Sequence, residues 1–503
     1  VKTYVPGGKF AIIDEKGNDV DYTIIKSRDL TDYVLSQTIM LDPSRKFYVP
    51  DQVLEVTMAI KANDVPALGY VQYSIDTQKD SHKETADKKV LENKYYTIEV
   101  EENGSLTIVD KANNVTYKNQ GILVENGDDG DSFNYSPPRK DMEVFSNESK
   151  CTVKISGSDI YDQAEIHFDM VVPADLDERA EGKVSVTMLV DMTVALRKDS
   201  KVIDFNVKVD NKGLSHRLCV LFDSQIVSAF NYADQQFGLI KRPNYYEKEM
   251  KLYMESMNNK TEKKAGIQEL ANWANDQSTW QEPPISIEPT QSYVSLTDGK
   301  TGIAVIPQGV REYEVLDDSK IRLTLFRTYG FMGKENLIYR PGRASGERII
   351  ETPAAQLLKE MEFNFGFTSY AGDINDSDID TLAKQYNTNL EVYTYAEFLN
   401  GRLIFSQREI EGQNAKIHSL FETEGNLVVS AVKKAEEDDG YIIRLYNGKD
   451  HKDLDDKIKF NFDIKEAYYT NLKEEKTEEI KVENNTISVK ELSHCKFVTI
   501  WVK

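Results

Sequence analysis

Cysteine is scarce: Cys151, Cys219 and Cys495 are the only three in 503 residues, odd in number and far apart. No CxxC pair occurs, which argues against a zinc ribbon or a dithiol redox motif and favours a reducing, cytoplasmic setting. Histidine is sparse as well. Six are scattered along the chain, so no local cluster offers the three ligands of an open catalytic zinc site or the four of a closed one, and metal binding by these residues is not expected. No apolar run approaches the roughly 18 residues that span a bilayer, and Val1 to Gly8 lacks a basic region followed by an apolar one. Positive charge is in deficit: 62 basic against 84 acidic residues leave a net charge of −22. Such a chain repels phosphodiester backbones and anionic lipid, so neither nucleic acid nor membrane is expected as a partner. Phosphate loops of the GxGxxG or P-loop kind, a GxSxG elbow and strand–helix alternation are all missing, which disfavours a nucleotide-binding α/β enzyme and a serine hydrolase.

What is present is β-pattern. With 40% hydrophobic and 10% aromatic residues the chain can bury sizeable cores. Period-two alternation recurs in Tyr96-Thr97-Ile98-Glu99-Val100, Leu106-Thr107-Ile108-Val109, Ile203-Asp204-Phe205-Asn206-Val207 and Ile321-Arg322-Leu323-Thr324-Leu325. Turn signals at Glu102-Asn103-Gly104, Asp210-Asn211-Lys212-Gly213, Thr297-Asp298-Gly299 and Glu424-Gly425-Asn426 each separate two such runs and predict hairpins. Helical pattern is confined to 245–265 and 377–386. The polar stretch 75–90 reads as a linker, and a Gly/Asp/Asn/Ser cluster near 372–389 marks a second boundary. About 150 residues per domain suggests roughly three domains. They are 1–86, a small β-sandwich; 87–380, a much larger sheet pair; and 381–503, a C-terminal β-sandwich. The fold class is mainly β: multi-domain antiparallel β-sandwiches.

Few residues carry a chemical pattern. His167-Phe168-Asp169 and His451-Lys452-Asp453 have the two-residue spacing that lets imidazole and carboxylate share an ion. Ile166, Phe168 and Met170 alternate with the first pair, which reads as the solvent face of a strand; the second lies in a charged run and reads as a loop. The cysteines read as buried, inert thiols. The densest segment is Glu125-Asn126-Gly127-Asp128-Asp129-Gly130-Asp131-Ser132-Phe133-Asn134-Tyr135-Ser136-Pro137-Pro138. Carboxylates that accept from vicinal hydroxyls beside aromatic faces that cover CH surface suit a sugar, and a solvated or calcium-like acidic turn suits the same residues. Arg327 and Arg340-Pro341-Gly342-Arg343 end β-like runs; a guanidinium there orients a carboxylate or sugar hydroxyl, or pairs with a nearby acid.

These segments carry a resemblance. The run from Leu91-Glu92-Asn93 to Asp110-Lys111, the acidic segment 127–138, Ser215-His216-Arg217-Leu218, Glu312-Tyr313-Glu314-Val315, Leu323-Thr324-Leu325-Phe326-Arg327, Arg340-Pro341-Gly342 and Glu351-Thr352-Pro353-Ala354-Ala355-Gln356, in that order, resemble glycoside hydrolase family 38. These are the α-mannosidases, and the similarity is strongest to their bacterial branch, which includes mannosylglycerate hydrolases. The resemblance implies the β-rich C-terminal half of a retaining, zinc-dependent enzyme hydrolysing terminal α-mannosides, with a large central supersandwich like that of galactose mutarotase. It also implies that zinc and nucleophile belong to an N-terminal catalytic domain acting as partner, so no catalytic or metal residue is expected in this chain. Carried over by motif, the edge of the sugar site falls on Phe133, where the family has tyrosine, and on Arg327; Tyr135, two residues on and on the same strand face, can take the place of that tyrosine, and the acidic loop with Asp129 and Asp131 completes the expected substrate site. A non-catalytic carbohydrate-binding or structural β-sandwich protein fits the same residues, and a homodimer is compatible with either reading.

Overall fold

The computed structural model describes residues 1–36, 51–260, 282–341, 349–396, 399, 419–450 and 452–503. Antiparallel sheets dominate them, and the helices are short: Thr31–Ser36, Leu176–Glu181, Glu247–Lys260 and Ile379–Asn387. The last two match the two expected helical stretches; the remainder of 245–265 beyond residue 260 lies outside the described residues. Successive side chains of a strand point to opposite faces, so alternation becomes burial. Tyr161–Val172 buries every second residue from Asp162 to Val172, and Ile203–Asp210 does the same from Ile203 to Val209. The chain divides into two compact units.

The larger unit holds residues 88–155 and 162–387. One of its sheets runs in the order Gly238–Pro243, Phe230–Gln235, Val294–Thr297, Thr301–Gln308, Glu360–Ala371, Ile203–Asp210, Val186–Arg197, Tyr161–Val172, Lys150–Gly157. A second has the order Val144–Phe145, Ile122–Gly127, His216–Asp223, Lys320–Arg327, Glu312–Leu316, Glu288–Pro289. Their inner faces share one core, in which Phe205 and Phe365 of the first sheet stack at 5.2 Å and Phe222 of the second meets Phe205 edge-on at 5.3 Å and stacks on Phe367 at 5.4 Å. Such a core is close-packed, and each ring closes a gap that no neighbour can fill.

The four turn signals resolve into two kinds. Glu102-Asn103-Gly104 and Thr297-Asp298-Gly299 make hairpins, joining Tyr96–Val100 to Leu106–Asp110 and Val294–Thr297 to Thr301–Gln308. The other two are crossovers. Ile203–Asp210 pairs with Glu360–Ala371 while His216–Asp223 pairs with Lys320–Arg327, so the turn between them carries the chain from one sheet to the other. Likewise Phe421–Thr423 and Val428–Lys434 pair into different sheets.

The smaller unit takes residues 1–87, 156–161 and 388–503. Its N-terminal part wraps Val5, Phe10, Ile12, Tyr22, Val56 and Met58. Much of the expected linker belongs to this part: Tyr73–Asp76 pairs with Ala11–Asp14, and the Ser81 hydroxyl donates to the Val20 carbonyl at 3.0 Å while accepting from the Ile12 amide at 3.2 Å. A polar composition signals a linker only when its polar groups face water, and Ser81 is buried. The C-terminal part packs Ile443, Leu445, Ile458, Ile487 and Ile500 between two sheets. The first and third expected domains fall in one unit, joined by a bridge between Gly69 and Ser419 and by a hydrogen bond from the Ser419 hydroxyl to the Ala67 carbonyl at 2.7 Å. Of the thiols, Cys219 is buried, whereas Cys151 is half-buried and Cys495 is exposed in a turn with φ of 57°. Cys151 packs only in part against the core, near the start of its strand, and Cys495 falls in the turn before Phe497–Val502, so strand-like neighbours do not bury them.

Phe222 is fully buried where the two sheets meet. Replacing it with alanine is expected to cost about 3–5 kcal/mol of unfolding free energy. Urea titration of the variant checks this, with the shift appearing in the midpoint and not in the slope.

Candidate functional site at the acidic loop

The loop that follows the Ile122–Gly127 strand is shaped by its own aspartates. Asp128 accepts the Gly130 amide at 2.9 Å, and Asp131 accepts those of Phe133 and Asn134 at 2.9 and 3.0 Å, two Asx-type turns in succession. The chain then doubles back, with the Asp131 amide on the Asn134 carbonyl at 3.0 Å and the Asp129 amide on that of Ser136 at 2.8 Å. Gly130 is required here: a Cβ would lie 2.0 Å from the Asn134 carbonyl oxygen and 2.8 Å from Arg327 Nη2.

Two arginines from distant sequence lock this turn. Arg327 grips Asp128 through Nε at 2.6 Å and Nη2 at 3.1 Å, and the same Nη2 donates to the carbonyls of Asp131 at 3.0 Å and Asn134 at 2.8 Å. Arg340 holds the Asp131 carboxylate and the Asn134 side-chain oxygen, and donates to the Lys334 carbonyl at 3.0 Å. Burial pushes the Asp128 carboxyl up, against the pull of the Arg327 fork. For Asp131 burial also opposes ionisation, but Arg340 and the two loop amides outweigh it and hold the carboxyl below its usual range. Lys334 closes the set with its ammonium on the Asp129 carboxylate and its amide on Asp131 at 2.9 Å.

The five residues singled out from the sequence therefore come together but stand differently. Asp131 and Tyr135 are buried, Arg327 is turned into the loop, and Asp129 is partly exposed beside Lys334. Phe133 projects from the tip of the turn with 59% of its surface open. Tyr135 lies beneath, its ring 3.9 Å from the Arg217 guanidinium and its hydroxyl accepting from Asn126 Nδ2 at 3.0 Å.

Beneath the loop lies a polar layer that motif reading passed over. Arg217 and Arg322 both donate to Asn126 Oδ1, at 3.0 and 2.7 Å, and Arg217 also pairs with Glu314 at 2.8 Å. Nearby, Glu125 Oε1 receives Arg179 and the Nδ1 side of His216 at 2.9 Å, and His216 Nε2 meets Asn211 Oδ1 at 2.9 Å. All four are buried. The available signal was a charge set among apolar strand neighbours, as in His216-Arg217-Leu218-Cys219-Val220. Fully buried charges require partners, and every one here has at least one.

The two His-x-Asp triplets differ in what can be described. His451 lies outside the described residues. His167 sits on an outer sheet face with Nδ1 2.7 Å from Asp191 and Nε2 3.2 Å from Asp169, which Lys150 also approaches at 3.1 Å. With both ring nitrogens on carboxylates the imidazole is arranged as a cation and not as a metal ligand. Among the described residues no group of three or more His, Cys, Asp or Glu is placed to hold a metal ion, so these residues do not fit a zinc site.

Comparison with known proteins identifies the framework that carries this loop. The model of the glycosyl hydrolases family 38 C-terminal domain matches residues 91–331, and that of the family 38 C-terminal beta sandwich domain matches 426–499. The chain belongs to glycosyl hydrolase family 38, as its C-terminal region. A protein of Halalkalibacterium halodurans named "Putative mannosylglycerate hydrolase" is 24% identical over 420 residues, which are 80% of this chain and 40% of that protein. An alpha-mannosidase from Enterococcus faecalis V583 superposes with a TM-score of 0.72 at 19% identity, over 99% of this chain and 51% of the other. A second Enterococcus faecalis family 38 protein gives 0.71 at 18% identity, over 99% and 52%. The chain thus spans about half the length of these structures or less of the curated relative, and the two structures share its fold.

Two outcomes follow from the site. Arg340→Leu strands the buried Asp131 carboxylate and is expected to destabilise the larger unit by about 3–5 kcal/mol, most of which returns when Asp131→Asn is added; urea unfolding of the two singles and the double measures that coupling. The Asp191 and Asp169 hydrogen bonds raise the His167 pKa. Its stabilising contribution is therefore complete below the unfolded value of about 6.5 and fades as pH rises through the higher folded value. His167→Gln should lower the urea midpoint at pH 5.5 and converge on the parent at high pH; an equal loss at all pH values would contradict the ion-pair assignment.

Proposed function

We propose that this chain is the C-terminal region of a retaining α-mannosidase and that its acidic loop forms one edge of the sugar site. The observation that carries the reading is the exposed Phe133 ring on a turn that two arginines immobilise. A pyranose offers a CH face that packs on an aromatic ring and hydroxyls that donate to a carboxylate, and Phe133 and Asp129 supply those two surfaces at the tip. In this reading Phe133 and Asp129 touch the substrate, while Arg327, Arg340, Asp131 and Tyr135 position them. Family membership supports it, because the matched region 91–331 includes both the loop and Arg327.

Cleavage itself belongs to residues outside this chain. In a retaining glycosidase one carboxylate attacks the anomeric carbon, a second carboxyl group protonates the leaving oxygen, and water then hydrolyses the glycosyl intermediate. Zinc, when bound by the catalytic domain, would engage sugar hydroxyls and offset developing charge. What these residues contribute is a fixed wall: an unmoving ring that orients the sugar and keeps water from one side of it. The free thiols suit a cytoplasmic enzyme.

In the intact enzyme, Phe133→Ala should lower kcat/KM for a p-nitrophenyl α-mannoside by roughly tenfold, ~1.4 kcal/mol of transition-state binding, without changing the melting temperature. Arg327→Ala should lower both. Unchanged kinetics in both variants would remove the loop from the sugar site.

A further inference from the structure

Arg327, Arg340 and Lys334 hold the acidic loop largely through its carboxylates, whereas its backbone is held from another direction. The amide of Asp128, the first residue after the Ile122–Gly127 strand, donates to the Ser215 carbonyl at 2.9 Å. Ser215 lies in the crossover from Ile203–Asp210 to His216–Asp223 with φ of 52°. That is a left-handed conformation which residues other than glycine adopt rarely and keep where their surroundings fix it. Here Gln356 fixes it. Its Oε1 accepts the Ser215 amide at 2.7 Å and its Nε2 donates to the Ser215 hydroxyl at 3.1 Å, so one carboxamide engages both groups.

Gln356 is itself held in place. It ends the short 3-10 turn Pro353–Gln356, and Leu357 after it is also left-handed, at φ 48°. Asn211 Nδ2 donates to the carbonyls of Gln356 at 3.0 Å and Leu357 at 3.2 Å, while Asn211 Oδ1 accepts the Gly213 amide at 3.1 Å and meets His216 Nε2 at 2.9 Å. Asn211, His216 and Gln356 are all buried. The backbone of His216 closes the set on Thr328, the residue after Arg327, donating its amide to the Thr328 hydroxyl at 3.0 Å and accepting the Thr328 amide at 2.7 Å. Gln356 leads into Glu360–Ala371, which pairs with Ile203–Asp210 in one sheet, whereas the loop and Arg327 extend strands of the other. The contacts from Asn211 through Gln356 and Ser215 to Asp128 therefore tie the loop to both sheets.

We propose that Gln356 is a positioning residue of the sugar site: by gripping Ser215 it fixes the carbonyl from which the acidic loop starts, and with it the placement of Phe133 against the sugar. The inference rests on the reading of that loop as one edge of the site. Arg327 anchors the side chain of Asp128, and Gln356, through Ser215, anchors its backbone. Two anchors on one residue set the direction in which the loop leaves the strand as well as its position. Loss of the carboxamide frees the Ser215 amide and hydroxyl together, while the Asx turns and arginine contacts within the loop remain, so the ring shifts with the loop as a unit.

Amide hydrogen exchange on this chain tests the anchor, and kinetics of the intact enzyme test its consequence. In Gln356→Met, which keeps the length of the side chain and loses both hydrogen bonds, the amides of residues 128–134 are expected to exchange roughly tenfold faster, while those of the strands Tyr96–Val100 and Leu106–Asp110 keep parent rates. Gln356→Glu retains an acceptor for the Ser215 amide and lets the hydroxyl donate, so exchange near the parent rate is expected. Ser215→Ala deletes the hydroxyl half alone; it should fall between the two, and it reads the same contact if the methionine variant does not fold. In the intact enzyme, Gln356→Met should raise KM for a p-nitrophenyl α-mannoside roughly fivefold with kcat within about twofold of the parent, since a displaced wall loses ground-state and transition-state binding alike, and Gln356→Glu should restore it. Parent-like loop exchange in Gln356→Met, or equally fast exchange in the glutamate variant, would overturn the proposal. Faster exchange with an unchanged KM would overturn it too, and Phe133→Ala then separates the causes: parent kinetics there remove the whole loop from the sugar site, whereas a lowered kcat/KM refutes the role of Gln356 alone.

Discussion

The larger unit depends on one guanidinium placed across sequence. Arg327 ends a strand in which residues 321–326 are all buried, and its fork reaches a loop nearly two hundred positions earlier, binding the Asp128 carboxylate and two backbone carbonyls at once. Lysine has one point charge, three donors and no fork, so it cannot serve these four oxygens in this geometry. Because Lys320–Arg327 pairs with His216–Asp223, and that strand pairs with Ile122–Gly127, the arginine and the loop it captures are set by the same three-stranded register. The turn is rigid because the sheet beneath it is.

That rigidity has a chemical consequence. A loop of alternating aspartates and glycines would by itself be a mobile acidic turn, since Asx turns are individually weak. Here the Asp128 and Asp131 carboxylates are each satisfied from two directions, by backbone amides of their own turn and by an arginine from 327–340, and Asp129 meets Lys334. With the polar groups consumed internally, the tip is left with an aromatic ring and a partly screened ion pair. Such a surface offers shape and CH contact more than charge, which suits the neutral sugar we propose for it.

Much of the architecture was legible from period-two patterning, because burial on one sheet face writes itself into every second residue: Ala164, Ile166, Phe168, Met170 and Val172 announce their strand without help. Pairing was not legible to the same degree. Asp210-Asn211-Lys212-Gly213 and Thr297-Asp298-Gly299 look alike locally, yet the first crosses between sheets and the second closes a hairpin. The difference lies in partners such as Phe365 opposite Phe205, about 160 residues away, which no local signal reports. The site divides in the same way. The acidic loop stood out by composition, whereas Lys334 and the Asn126, Arg217, Glu314 layer acquire meaning only when the strands that begin at 122, 216, 320 and 312 line up in one sheet. Arg217 was visible as a charge within an apolar strand, and that anomaly was the one available sign that something polar had to be buried against it.

The chain as a whole bears −22, yet around the loop Asp128, Asp129 and Asp131 meet Arg327, Lys334 and Arg340 one for one, and in the layer below Glu314 meets Arg217 while Glu125 meets Arg179. The excess acidity therefore lies elsewhere, on surfaces where water and salt screen it over about 10 Å. Burial would make a net charge at the loop costly, and local neutrality removes that cost while keeping the directional hydrogen bonds. A site built this way keeps its geometry across ionic strength even as the surrounding surface responds to it. The acidic composition thus governs solubility and the repulsion of other polyanions, and the balanced interior governs what the loop can hold.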